Sequence, residues 1–261
     1  MLLKKIVSKK KASVEKSRGG KPLEVLKEEL KNCPFPLDFR KALREKSGRA
    51  IIAEIKRASP SKGLICDEKD PGFRGRLYEK NGAAAISVLT EEEYFRGSLE
   101  DLSRVKDSVG IPVLQKDFII DPYQIYESRV HGADAVLLII SLLTEQELTL
   151  FLETCRRLNM CSLVEIHTRE ELKKALKCGA NVVGINNRNL NTFKTDIGVT
   201  MELSKDIPGS VLLVSESGIR SREDIVLLRS SGVGAFLIGE ALMLHPSPGE
   251  KIRELLGEET W

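Results

Sequence analysis

From Ala50 onward the chain alternates short apolar runs with longer polar stretches. The runs are Ala50 to Ile55, Ala84 to Leu89, Pro112 to Leu114, Ala135 to Ile140, Ser162 to Ile166, Asn181 to Ile185, Val211 to Val214 and Ala235 to Ile238. They recur about every 26 residues, and each gap is long enough to hold a helix, which is the length of a βα unit. The runs are nearly continuous in Val, Ile, Leu and Ala, as expected of parallel strands covered on both faces. Asp121, Thr144 and Thr168 each stand three residues before Gln or Glu, a spacing that predicts helix starts, and Ser98 and Ser221 precede Asp in a weaker version. Gly82, Gly132, Gly179 and Gly232 fall one to three residues before the next run, where a helix needs its C-terminal cap. Eight such units predict an α/β fold, a (β/α)8 TIM barrel; an open doubly wound sheet is the alternative. No G-x-G-x-x-G follows the first run, so nothing favours a dinucleotide fold.

The first 50 residues read differently. They hold 15 Lys and Arg against 6 Asp and Glu, a net of +9 in a chain whose total is +3. The charges are spaced by Leu23, Val25, Leu26, Leu30, Phe39 and Leu43, the pattern of amphipathic helices lying on a body, with breaks at Gly19-Gly20 and at Asn32 to Pro36. A basic arm can also bind nucleic acid or an anionic membrane, but this one lacks interleaved aromatics, and attraction of a small anion is the reading next to helices on the body. The expected organisation is one domain over 1–261, with a helical extension at 1–48 and the barrel at 49–261.

Composition excludes several classes. No stretch longer than ten residues lacks Asp, Glu, Lys and Arg, far short of the about 20 apolar residues of a membrane helix. Charges at Lys4, Lys5, Lys9, Lys10 and Lys11 leave no apolar signal segment, so a cytoplasmic location is expected. Five scattered cysteines include no C-x-x-C pair and read as free thiols, and three scattered histidines give no metal motif.

In a barrel the chemistry gathers where strands enter the βα loops, so polar residues ending the runs carry the functional signal. Period-two alternation puts Glu54 and Lys56 on the face of Ile52, pointing into the mouth. Lys116, Glu165 and Asn186 end three other runs. A single such residue could be a rim ion pair, but five at one mouth imply a ligand, because burying that much charge is otherwise unfavourable. Ser217-Gly218 and Gly239 after the last two runs let backbone N–H groups approach a phosphate. The combination implies a phosphorylated small-molecule substrate.

Six segments in order carry a resemblance. They are Ile52-Ala53-Glu54-Ile55-Lys56-Arg57-Ala58-Ser59-Pro60-Ser61, Thr90 to Ser98, Lys116-Asp117-Phe118-Ile119, Leu163-Val164-Glu165-Ile166-His167, Gly184-Ile185-Asn186-Asn187-Arg188 and Ser215-Glu216-Ser217-Gly218-Ile219. Over nearly its whole length the chain resembles the indole-3-glycerol phosphate synthase family, which also carries a helical extension before its first strand. The resemblance implies ring closure of 1-(2-carboxyphenylamino)-1-deoxyribulose 5-phosphate with loss of carbon dioxide and water, in tryptophan biosynthesis and without cofactor or metal. It implies Lys116 as the acid at the ketone oxygen, Glu165 as the group handling later protons, and Glu54 as the residue orienting Lys116 and substrate. Lys56, Ser217, Gly218 and Gly239 would hold the phosphate. Asn186, Arg188, Ser215 and Glu216 would surround sugar and carboxylate, with Ser59 beside them, and Phe95 and Phe118 would flank the aromatic ring. Glu240 departs from the Ser or Thr of some members, and an ionised carboxylate cannot donate to phosphate, so its backbone N–H is the expected contact. The nearest rival is a different phosphate-binding barrel enzyme, either an isomerase using Glu165 as base or an aldolase forming a Schiff base on Lys116. No nucleic acid or membrane partner is expected, and the chain is expected to act as a monomer.

Overall fold

The computed structural model describes residues 2–189 and 192–258, so the outermost ends of the expected extension and barrel lie outside the described residues. Eight parallel strands close into a barrel in which each pairs with its neighbours in sequence and the last with the first. They are β1 (Ala50–Ile55), β2 (Ala85–Leu89), β3 (Val113–Lys116), β4 (Ala135–Ile139), β5 (Cys161–Ile166), β6 (Val182–Asn186), β7 (Leu212–Glu216) and β8 (Ala235–Ile238). Three helices precede the barrel: α1 (Leu2–Gly20), α2 (Leu23–Leu30) and α3 (Phe39–Glu45). The helices that follow are α4 (Pro71–Lys80), α5 (Leu99–Lys106), α6 (Pro122–Val130), α7 (Glu145–Arg157), α8 (Arg169–Lys177), α9 (Gly198–Leu203), α10 (Arg222–Ser230), α11 (Glu240–Met243) and α12 (Pro248–Leu256). Between β1 and α4 a small hairpin pairs Ala58–Ser59 with Gly63–Leu64.

The helix starts follow from local chemistry. Asp121, Thr144 and Ser221 form reciprocal capping boxes with Gln124, Glu147 and Asp224, so Ser221 makes the full motif where its sequence suggested a weaker one. Thr168 caps α8 by accepting from the backbone N–H of Glu171, whose carboxylate accepts in turn from the backbone N–H of His167.

Two apolar layers hold the barrel. The outer one lies between strands and helices, and the inner one fills the barrel with Ile52, Leu114, Leu137, Leu163, Val214 and Leu237 among others. Phe39 and Leu43 of α3 belong to the inner layer and are fully buried, so this helix plugs the end of the barrel where the strands begin. The extension therefore consists of helices packed on the body, but Val25 is exposed rather than packed: only Leu26 of α2 is buried, where it meets Val14 and Tyr123. Lys10 reaches Asp117 at 2.7 Å and Arg18 reaches Asp121 at 2.6 Å, fixing α1 to the loop after β3.

Strands three and seven run past the ends of their apolar segments, to Lys116 and Glu216. Charge does not end them, because each charged side chain finds a partner in the mouth. No helix among the described residues is long and apolar enough to cross a membrane.

Truncating the plug tests this packing. Phe39→Ala is expected to lower unfolding free energy by about 3–5 kcal/mol, the usual effect of emptying a phenylalanine-sized core site. A urea titration showing less than about 1 kcal/mol would mean that α3 does not close the barrel.

Candidate active site

The site continues the inward stripe of each strand by one step. Two residues beyond Ile52 comes Glu54, beyond Leu114 comes Lys116, beyond Leu163 comes Glu165, beyond Val214 comes Glu216 and beyond Leu237 comes Gly239. Register aligns these ends across neighbouring strands: Ile139 pairs with Glu165, and Asn186 with Glu216. The result is a cavity of about 470 Å³ at the end of the barrel where the strands run into βα loops. Of the residues expected from sequence, Glu54, Lys56, Ser59, Phe95, Lys116, Phe118, Glu165, Asn186, Arg188, Glu216, Ser217, Gly218, Gly239 and Glu240 all line it. Ser215 does not. Its hydroxyl faces outward, within 3.0 Å of both Asn187 and Thr200, as its place between two inward residues requires.

Lys116 sits at the centre, with Nζ 2.9 Å from Oε2 of Glu216 and 3.1 Å from Oε2 of Glu165. Burial alone would disfavour its ammonium, but Glu216, then Glu165 and Glu54, outweigh that effect and raise its pKa above the ordinary lysine value. The two carboxylates respond in opposite directions. Burial raises Glu165, yet Lys116, His167 and Asn186 together hold it below the usual range. Glu216 is pushed up to about 7, chiefly by burial and with Glu165 adding to it, against the pull of Lys116. Glu216 therefore has a larger part than its expected place at the edge of the sugar. Oε1 of Glu216 is buried without a hydrogen bond, and a Cβ on Gly184 would come within 2.0 Å of it. Only glycine fits there.

Glu54 is placed otherwise than expected. Its partner is Lys56, at 2.6 Å, while it acts on Lys116 through its charge rather than through a hydrogen bond. A Cβ on Gly239 would come within 2.3 Å of a Glu54 oxygen, so this glycine is needed for the carboxylate as well as for any anion. Just after β7, Ser217 and Gly218 take successive positive φ values of +66° and +82°. Phe95 and Phe118 stand 6.2 Å apart at 44°, forming one aromatic wall.

Glu240 bridges two cations. Its carboxylate lies 2.8 Å from Lys62 and 3.3 Å from Arg188, and Arg188 also reaches Ser61 and the Phe193 carbonyl at 3.3 Å each. Burial pushes Glu240 up, but Lys62, Arg188 and Lys56 hold it below the usual range. Sequence reasoning missed Lys62, and also Leu3 and Ile6, which line the cavity from α1. Alternation beyond Val214 was the signal available for Glu216; no local signal pointed to Leu3 or Ile6, whose place depends on how α1 docks.

Comparison with known proteins adds to this geometry. A family profile described as indole-3-glycerol phosphate synthase matches residues 3–255. The chain is 48% identical to the indole-3-glycerol phosphate synthase of Carboxydothermus hydrogenoformans, over 98% of this chain and 100% of that one. It is 49% identical to the protein of the same name from Endomicrobium trichonymphae, over 98% and 99%. Among solved structures it is similar to a thiamine phosphate pyrophosphorylase from Pyrococcus furiosus, with a TM-score of 0.61 and 15% identity, over 81% of this chain and 95% of that one; at that identity the likeness concerns the fold.

The central charge arrangement has a pH signature. Lys116→Met leaves two buried carboxylates without their cation, which costs about 3–5 kcal/mol when both are ionised. Without the lysine their folded pKa values rise above the unfolded ones, so the variant's deficit should be largest near pH 8 and shrink as both take up protons toward pH 5. Denaturant midpoints with the same deficit at both pH values would contradict the arrangement.

Proposed function

The chain belongs to the indole-3-glycerol phosphate synthase family, and on that premise we propose how the residues of its cavity divide the reaction. Its activity is that of a carboxy-lyase of tryptophan biosynthesis: 1-(2-carboxyphenylamino)-1-deoxyribulose 5-phosphate is cyclised, decarboxylated and dehydrated to indole-3-glycerol phosphate. The observation that carries the division of labour is the Lys116 ammonium held between Glu165 and Glu216 inside the mouth.

As the anthranilate ring carbon attacks the ketone, charge builds on the ketone oxygen. Lys116 stabilises that charge and delivers a proton, a role worth roughly 10²- to 10⁴-fold in rate. Loss of carbon dioxide then restores the aromatic ring. Glu165, kept ionised by its neighbours, takes the proton removed from the carbon next to nitrogen, while Lys116, recharged through Glu216 at 2.9 Å, gives the departing hydroxyl the proton with which it leaves as water. Glu216, poised to about 7, shares the placement of Lys116 and is the nearer partner. Glu54 fixes Lys56. Lys56, Arg188, Ser217, Gly218 and Gly239, with the backbone N–H of Glu240, form the phosphate site, and Asn186 and Ser59 face the sugar. Phe95 and Phe118 pack on the aromatic ring. A Schiff-base role for Lys116 is disfavoured by its raised pKa, since only the free amine attacks a carbonyl.

We further propose a single domain over 1–261, acting as a cytoplasmic monomer without nucleic-acid or membrane partners. The basic arm serves the barrel: Lys10 and Arg18 are bound to aspartates of the body.

Formation of the indole product from the ribulose phosphate, followed by its fluorescence, tests the reading directly. Lys116→Ala and Glu165→Gln are each expected to lower kcat by at least about 10²-fold with the fold intact, whereas Lys56→Ala should chiefly raise KM, because the phosphate it holds is present in ground and transition states alike. Near-normal turnover in either of the first two would remove that residue from the chemistry, and covalent labelling of Lys116 by borohydride in the presence of substrate would restore the aldolase reading. Glu240→Gln should free Lys62 and Arg188 and tighten inorganic phosphate binding by about 3- to 10-fold in calorimetry, on the scale of one exposed charge pair; an unchanged or weakened affinity would mean the carboxylate does not compete for these cations.

A further inference from the structure

Behind Glu165 lies a side chain that the reaction scheme does not use. His167 follows β5 by one residue, and its Nε2 is 3.8 Å from Oε1 of Glu165, the oxygen not bonded to Lys116. That nitrogen is buried and makes no hydrogen bond, although its surroundings are polar. On the other side of the ring, Nδ1 is 3.8 Å from Glu171 of α8. The imidazole is not among the side chains lining the cavity, so it can reach substrate only through Glu165.

A purely structural role is already supplied by the backbone. The N–H of His167 donates to Glu171 at 2.6 Å and opens α8, and that bond is available to any residue at the position. The ring itself has another use. A carboxylate that must collect a proton works best when one oxygen is tethered and its charge is balanced, leaving the other oxygen on the lysine it cooperates with. We infer that His167 is a positioning residue for the catalytic carboxylate of Glu165, holding Oε1 in place from behind the cavity while Glu171 holds the ring. The inference rests on the reading of Glu165 given above.

The charged groups facing the ring are Glu165 on β5, Glu171 on α8 and Glu216 on β7. Burial opposes protonation of the imidazole, but these three carboxylates raise its pKa above the ordinary histidine value. In weakly acidic solution the ring is therefore a cation beside Glu165. Its removal must raise the pKa of Glu165, so the base is lost at a higher pH as acidity increases.

Two variants separate position from charge. His167→Leu removes both, and His167→Gln keeps a neutral N–H donor. With the ribulose phosphate substrate, the leucine variant is expected to lose about tenfold in kcat at pH 8.5 with KM within about twofold, and the glutamine variant to recover most of that loss. In both, the acid limb of the kcat profile should move upward by about 0.5 to 1 pH unit. The glutamine variant carries the test of the limb even if the leucine variant fails to fold, which a thermal midpoint would reveal. An acid limb unmoved in the glutamine variant, or a rise in KM as large as the fall in kcat, would overturn the inference. Failure of the parent chain to form the indole product would instead overturn the function assigned to Glu165, and the two failures are read from different proteins in the same assay.

Discussion

An ammonium enclosed by carboxylates at the mouth of an apolar barrel is a demanding arrangement, and much of the fold around it can be understood from that demand. Glu54, Glu165 and Glu216 are between 1% and 3% exposed. Isolated, each would protonate or remain wet; together with Lys116 and Lys56 they form a group whose charges nearly cancel. Such a group needs its members brought to one level from distant parts of the chain. A closed parallel barrel does this because every strand delivers its inward residue to the same rim. The glycines at 184 and 239 follow from the same demand, since a methyl group at either would occupy space taken by a glutamate oxygen.

The environment also sets the two central carboxylates apart. Glu165 and Glu216 share a lysine, yet one is held ionised and the other poised near neutrality. Asn186 and His167 stand beside the first, whereas one oxygen of the second is packed against a bare glycine backbone with no donor. Two glutamates of identical chemistry thus acquire different proton affinities from a few neighbours, which is how groups of one kind can both give and take protons.

Most of the fold was legible along the chain because burial on both faces leaves a strand no polar alternation, and eight such runs repeat. Ala50–Ile55 and Ala235–Ile238 matched to the residue. The apolar runs stop at Leu114 and Val214 while the strands continue to Lys116 and Glu216, because an apolar pattern ends where a strand turns functional. Glu216 is legible as a site residue, but its place at 2.9 Å from Lys116 needs alternation carried past Val214. Ser215 shares the strand end but not the face: lying between two inward residues, it turns its hydroxyl to Asn187 and Thr200 outside the cavity. Lys62, Leu3 and Ile6 lie beyond such reasoning, since their positions depend on a loop and a helix docking across the barrel.

That docking joins two ends of the molecule. Ile6 borders the cavity, and Phe39, 33 residues on, stops the opposite opening. The connecting stretch between α2 and α3 includes Phe35, largely exposed on the surface. Roof and floor are thus two attachments of a single strap, and variation along it can reshape the entrance at one buckle while leaving the other fastened. Natural drift in ligand access and drift in barrel robustness can therefore proceed through different parts of one short segment.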